Sequence, residues 1–126
     1  MSKINKYKSS EIIQNMEKTN PYAIIHELLQ GLNARLSDTI KSIDKGSLES
    51  AKEQAIKAEK IAFSLQNCLD FKDGGEIAEN LNYLYRHIRF ATKMYVEKDK
   101  KDLMHSALFV SSEILEGWKG LSSKVA

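Results

Sequence analysis

The strongest helix-breaking signals in this chain gather at a few seams. The sequence carries six glycines and one proline, and Pro21, Gly46 and the pair Gly74-Gly75 separate long stretches of helix-forming residues. Proline suits a first helical turn, where its missing N–H has no partner anyway, and glycine ends helices by accepting left-handed dihedrals. Asn20-Pro21 is therefore expected to open a helix, and the glycines at 46 and 74–75 to close or separate helices. Between the seams, apolar residues recur every three or four positions. The pattern predicts an all-α chain, folded as an antiparallel up-and-down four-helix bundle with a short N-terminal segment packed on it.

The first long helix is expected from about Pro21 to about Ile43, on the line Ile25, Leu28, Leu29, Leu32, Leu36, Ile40 and Ile43. Asp44-Lys45-Gly46 ends it, with Ser47 placed to cap the next helix through its side chain. That second helix has a heptad-like seam of Leu48, Ala51, Ala55, Ala58, Ala62, Leu65 and Leu69, whose alanines let a neighbour approach closely. Asp73-Gly74-Gly75 breaks the chain, and a third helix is expected from near Glu76, with Ile77, Leu81, Leu84, Ile88, Ala91 and Tyr95 on its core line. Charged residues 97–102 interrupt the periodicity, and Asp99 is the expected N-cap of a fourth helix. The fourth helix carries Leu103, Ala107, Val110, Ile114 and Trp118 on one line and frays near Gly117 and Gly120. Residues 21–126 then form the bundle as a single domain. Residues 1–20 are expected to form a mobile N-terminal segment whose Ile12-Ile13-Met16 turn can dock but is too short to fold alone.

Composition bounds the function. A chain of 126 residues with 42% hydrophobic and 29% charged residues can bury a core without disulfides or metal. A formal net charge of only +2 gives no field that would recruit nucleic acid or an acidic membrane. Cys68, the single cysteine, excludes an internal disulfide and reads as a small buried or half-buried apolar residue rather than a nucleophile. The polar, lysine-bearing start from Met1 to Lys8 has no apolar run behind it, so no signal peptide or membrane insertion is expected, and the expected location is cytoplasmic.

No catalytic, cofactor or metal constellation emerges. His26-Glu27 begins like a zinc-protease helix motif, but Gln30 stands where the second histidine belongs. His26, His87 and His105 fall on different expected helices, and Gly74-Gly75 lacks the Lys-Ser or Lys-Thr of a phosphate loop. Arg86, Arg89 and Lys93 share a face opposite the third helix's core line and read as solvated charge. The surplus is apolar. Tyr83, His87, Phe90 and Met94, spaced four, three and four, form a second stripe about 100° around the third helix from its core line. Ile56 and Phe63 lie off the alanine seam, and Met104, Leu108 and Leu115 lie beside the fourth helix's line. A helix touching two neighbours needs a broad apolar face, which accounts for some of this. The alternative is an open groove for a partner segment, lined by Ile56, Phe63, Tyr83, His87, Phe90 and Met94.

The punctuation resembles the FliS-type flagellar export chaperones. Its carriers are Tyr7, Asn20-Pro21, Leu28-Leu29 followed by Gly31, the junction Leu69-Asp70-Phe71-Lys72-Asp73-Gly74-Gly75-Glu76-Ile77-Ala78-Glu79-Asn80-Leu81 with Leu84-Tyr85, and Trp118 near the end of the last helix. Leu29 stands where the family usually has tyrosine, Asn20 where it has serine, and Gly117 where it has alanine. The resemblance implies a non-enzymatic cytoplasmic chaperone without cofactors. Such a protein binds the C-terminal region of flagellin, keeps it unpolymerised and assists its delivery to an export gate component. The chain is expected to be a monomer when free and to form a one-to-one complex with its client. Tyr7, Ile12, Ile13 and Met16 are expected to form a displaceable cover over part of the groove. Two other readings fit a helical bundle: a histidine phosphotransfer domain using His87, which lacks the usual lysine-glycine pair after it, and a homo-oligomeric scaffold joined through the second stripe.

Overall fold

The computed structural model describes residues 21–125, which form α1 (Pro21–Asp44), α2 (Leu48–Asn67), α3 (Phe71–Lys98) and α4 (Met104–Val125). The links at 45–47, 68–70 and 99–103 are short, so each helix runs back along its predecessor. Helix α1 packs on α2 and α4, and α3 packs on the same two, while the diagonal pairs do not come together. The described residues thus make the expected all-α, up-and-down four-helix bundle.

Each turn has its own chemistry. After α1, Gly46 takes a φ of 78°, its N–H donates to the Ile43 carbonyl at 3.0 Å, and the Ser47 N–H donates to the Ser42 carbonyl at 2.9 Å. This pair of bonds satisfies carbonyls that the helix end leaves open. Ser47 precedes α2 as expected, but its side chain makes no capping bond.

The next junction differs from expectation. Helix α3 begins at Phe71, not near Glu76, because the Asp70 carboxylate accepts from the Lys72 and Asp73 N–H groups and caps one turn ahead of the glycines. The expected break is a kink inside α3, where Gly75 adopts φ 50° and ψ −124°. Gly74 is needed for a different reason: a Cβ there would lie 2.9 Å from the Ala78 Cβ.

Asp99 is corrected from an N-cap to the end of α3. It sits in the left-handed region at φ 58°, which aspartate tolerates better than most residues, and its N–H donates to the Tyr95 carbonyl at 3.0 Å. Its carboxylate pairs with Lys52 of α2. Helix α4 starts only at Met104 and continues through Gly117 and Gly120 to Val125, since packing on α1 sustains it past residues of weak intrinsic propensity.

Leu29, Leu32 and Leu36 of α1 meet the fully buried Ala51, Ala55, Ala58 and Ala62 of α2 in the core, joined by Leu65, Tyr85, Ile88, Tyr95 and Met104. Met104 and Leu115 are core residues rather than surplus, and Leu108 packs against the core. Ile77 and Leu48 go the other way, at 70% and 57% exposure. Periodicity puts Ile77 on the core line, but α3 and α4 are the most sparsely packed of the neighbouring pairs. Leu48 stands in the first turn of α2, before its neighbours close over it. Far ends of the chain are tied by Trp118, whose indole N–H donates to the Tyr22 carbonyl at 2.9 Å while its ring lies 5.0 Å from that of Tyr22.

The junction predicts opposite outcomes for three glycines. Gly75→Ala, forced to a positive φ, and Gly74→Ala, which meets Ala78, should each lower stability by about 1–3 kcal/mol. Gly117→Ala, at an exposed site with nothing within 4 Å of the new Cβ, should raise it by about 0.5–1 kcal/mol. Urea unfolding of the three variants checks the signs.

Burial pushes the Tyr85 phenol above its ordinary value, reinforced by nearby Cys68. Its folded form therefore keeps its proton after the unfolded form has lost one, and stability is undiminished below the unfolded value and falls above it. Above about pH 10, this group should contribute a loss approaching 1.4 kcal/mol per pH unit. Urea midpoints measured across that range should show the alkaline slope reduced in Tyr85→Phe; an unchanged slope would assign it to other groups.

Candidate functional site

The outer face of α3 carries the surplus stripe. Tyr83 and Phe90 are 71% and 54% exposed, and His87 and Met94 are half-buried. None of the four belongs to the core cluster. The local reason is the repeat itself: with Tyr85, Ile88, Thr92 and Tyr95 turned inward, residues at 83, 87, 90 and 94 must turn away from the core. His87 lies on the side of the stripe toward α4, where its Nε2 shares a hydrogen bond of 2.9 Å with the Ser106 hydroxyl. Tyr83, Arg86, His87, Arg89, Phe90 and Lys93 line an open recess of about 520 Å³.

Ile56 and Phe63 belong to the other side of α3, along its seam with α2. Arg89 donates to Glu59 at 2.8 Å and to Gln66 at 2.7 Å, and Gln66 donates to Asn82 at 2.6 Å. The Arg89 guanidinium also lies over the Phe63 ring, 4.6 Å from its centroid. Arg89 is thus a partly buried tie between helices rather than one of three solvated cations. A sequence pattern registers its face but not the Glu59 that turns it inward. Ile56 lines a smaller recess of about 130 Å³ with Glu59, Thr92, Lys93, Val96 and Glu97. Lys93 borders both recesses. The six expected groove residues therefore fall into two neighbouring patches, one outward on α3 and one at the α2–α3 seam.

Phe71 and Phe109, at 48% and 64% exposure, are further apolar side chains that sequence reasoning missed. Phe109 lies outside the expected lines of α4, so no periodic signal marked it. Tyr7, Ile12, Ile13 and Met16 lie outside the described residues. His26, His87 and His105 stand on α1, α3 and α4, and no group of three or more histidine, cysteine or acidic side chains among the described residues is arranged to hold a metal ion. No helix among them is long and apolar enough to cross a membrane.

The family model described as "Flagellar protein FliS" matches residues 3–125. Among curated proteins, the chain is 27% identical over 112 residues to the flagellar secretion chaperone FliS of Vibrio cholerae, covering 89% of this chain and 82% of that protein. It is 25% identical over 122 residues to the flagellar secretion chaperone FliSB of Pseudomonas aeruginosa, covering 97% of each. No solved structure matches it significantly.

The position of the stripe predicts a clear stability contrast. Replacing Phe90 and Met94 together by Ser should cost about 1 kcal/mol, because little burial is lost. The same change at half-buried Leu84 and fully buried Ile88 should cost more than about 4 kcal/mol through lost burial and an unfilled cavity. Thermal melts of the two double variants check this, and equal losses would place Phe90 and Met94 in the core.

Proposed function

The chain belongs to the FliS family of flagellar proteins, and from that premise we propose that it is a non-enzymatic chaperone for the C-terminal region of flagellin. In this reading it acts in the cytoplasm, holds that region unpolymerised in a one-to-one complex, and assists its delivery to a component of the flagellar export apparatus. The observation that carries the reading is the apolar stripe of α3, with Tyr83 and Phe90 left exposed on a helix whose inward face is already filled.

The energetics are adequate without nucleotide or cofactor. Ordering a client segment costs about 2–5 kcal/mol. Burying about 1,000 Å² of apolar surface contributes on the order of 25 kcal/mol. Association itself costs roughly 4–15 kcal/mol, leaving a surplus for affinity. Residues 1–17, with Tyr7, Ile12, Ile13 and Met16, serve in this reading as a weakly held cover that shields apolar surface until a client displaces it.

Sedimentation of the full chain with flagellin, and with flagellin lacking its C-terminal region, tests the proposal. The intact client should co-sediment in a one-to-one complex, the truncated one should not, and the chain without residues 1–17 should bind more tightly or self-associate. Equal binding of both flagellins would refute the client site. Weaker binding by a folded, monomeric chain lacking 1–17 would make that segment part of the binding surface instead of a cover.

A further inference from the structure

The outer face of α3 repeats with a period of seven. Tyr83 and Phe90 are seven residues apart, as are Arg86 and Lys93, and His87 and Met94. Each pair occupies one angular position two turns apart, about 10 Å along the axis. An aromatic row therefore runs beside a basic row, with a half-buried row of His87 and Met94 on its other flank. A period of seven is the one that lets a second helix stay in register with the first, its side chains seating between those of its neighbour.

The charges select among possible occupants. Arg89 is held by Glu59 and Gln66. Among the described residues, neither Arg86 nor Lys93 has a carboxylate within ion-pair distance, although both line the recess with Tyr83 and Phe90. The basic row is short, because Glu79 occupies the same angular position one heptad before Arg86, and Glu97 lies just beyond Lys93. A second copy laid along this face with its Arg86 and Lys93 opposite those of the first would set like charges together, which opposes self-pairing in that register.

We propose that this face receives an amphipathic helix of a partner protein whose apolar residues cover Tyr83 and Phe90 and whose carboxylates, seven residues apart, face Arg86 and Lys93. The inference rests on the reading above, in which the outer face of α3 is a client surface, and adds the register and sign of charge that the client presents there. The apolar row supplies contact area, and the basic row sets which helix is accepted and in which register.

The test uses the full chain and two designed amphipathic peptides of about 21 residues, long enough to sample helix alone. Both carry the same apolar residues at heptad spacing, but one has glutamate and the other lysine at the flanking positions. Fluorescence anisotropy should give at least about fivefold tighter binding of the glutamate peptide at low salt, and a smaller ratio at high salt. The double variant Arg86→Glu with Lys93→Glu changes two exposed residues, so it should melt normally and reverse the preference. Equal binding of the two peptides, binding of neither, an unreversed preference in the folded variant, or sedimentation showing the chain already paired through this face would each overturn the inference. Flagellin in parallel separates the two ideas. If it binds with its C-terminal region intact while the peptides show no charge preference, only the register and charge assignment fails. If the glutamate peptide binds and reverses while flagellin does not bind, the client identity fails.

Discussion

Everything in this bundle depends on how closely α2 lets its neighbours approach. Ala51, Ala55, Ala58 and Ala62 are all fully buried, and side chains this small bring the α1 leucines close to the α2 backbone. Larger residues would push the helices apart and strain a close-packed interior. The same helix faces α3 on its other side, where Glu59 and Gln66 reach Arg89, and Lys52 reaches the Val96 carbonyl at 3.2 Å and the Asp99 carboxylate. With α3 held this way from α2, its contact with α4 is the loosest in the ring. Apolar surface left over in the molecule accordingly gathers on α3 and its flanks.

The sequence makes some of this legible and hides the rest for a physical reason. Local spacing reports which residues share a helix face, so the bundle class, the α1 stripe and the α2 alanine seam could all be read from it. It does not report what lies opposite. Ile77 and Ile88 share a core line, yet one is largely exposed and the other fully buried, because only the second has a neighbour packed over it. Arg89 is the same problem in polar form, since its inward turn depends on Glu59, thirty residues earlier. The tie between Trp118 and Tyr22 spans 96 residues and leaves no periodic trace.

Turns were half legible for a related reason. Gly74-Gly75 marked a break, and the backbone does depart from helix at Gly75. Asp70, however, caps a turn ahead of it with one carboxylate oxygen, and an aspartate reads equally well as a cap, a turn residue or a surface charge. Asp99 shows the ambiguity from the other side. Both residues bound a helix, but Asp70 sits at φ −110° and accepts the N–H groups of a starting helix, whereas Asp99 at φ 58° ends one. Backbone dihedrals separate the two uses, and residue identity alone does not.

The stripe on α3 brings two demands on a chaperone surface into opposition. Surface able to bind a client has to be apolar, and exposed apolar surface also favours self-association. Interleaving is one physical resolution: Arg86 and Lys93 alternate along the helix with Tyr83 and Phe90, so each large ring is flanked by a hydrated cation. A second copy offers the same sign of charge and is disfavoured, while a partner of opposite sign meets both the rings and the cations. Half-buried His87 and Met94 soften the edge toward α4, where the sparse packing leaves room for side chains to adjust. The proposed selectivity then comes from the same residues that oppose pairing of the exposed rings with a second copy. Removing the cations would therefore be expected to raise self-association and to lower affinity for a client helix of opposite charge.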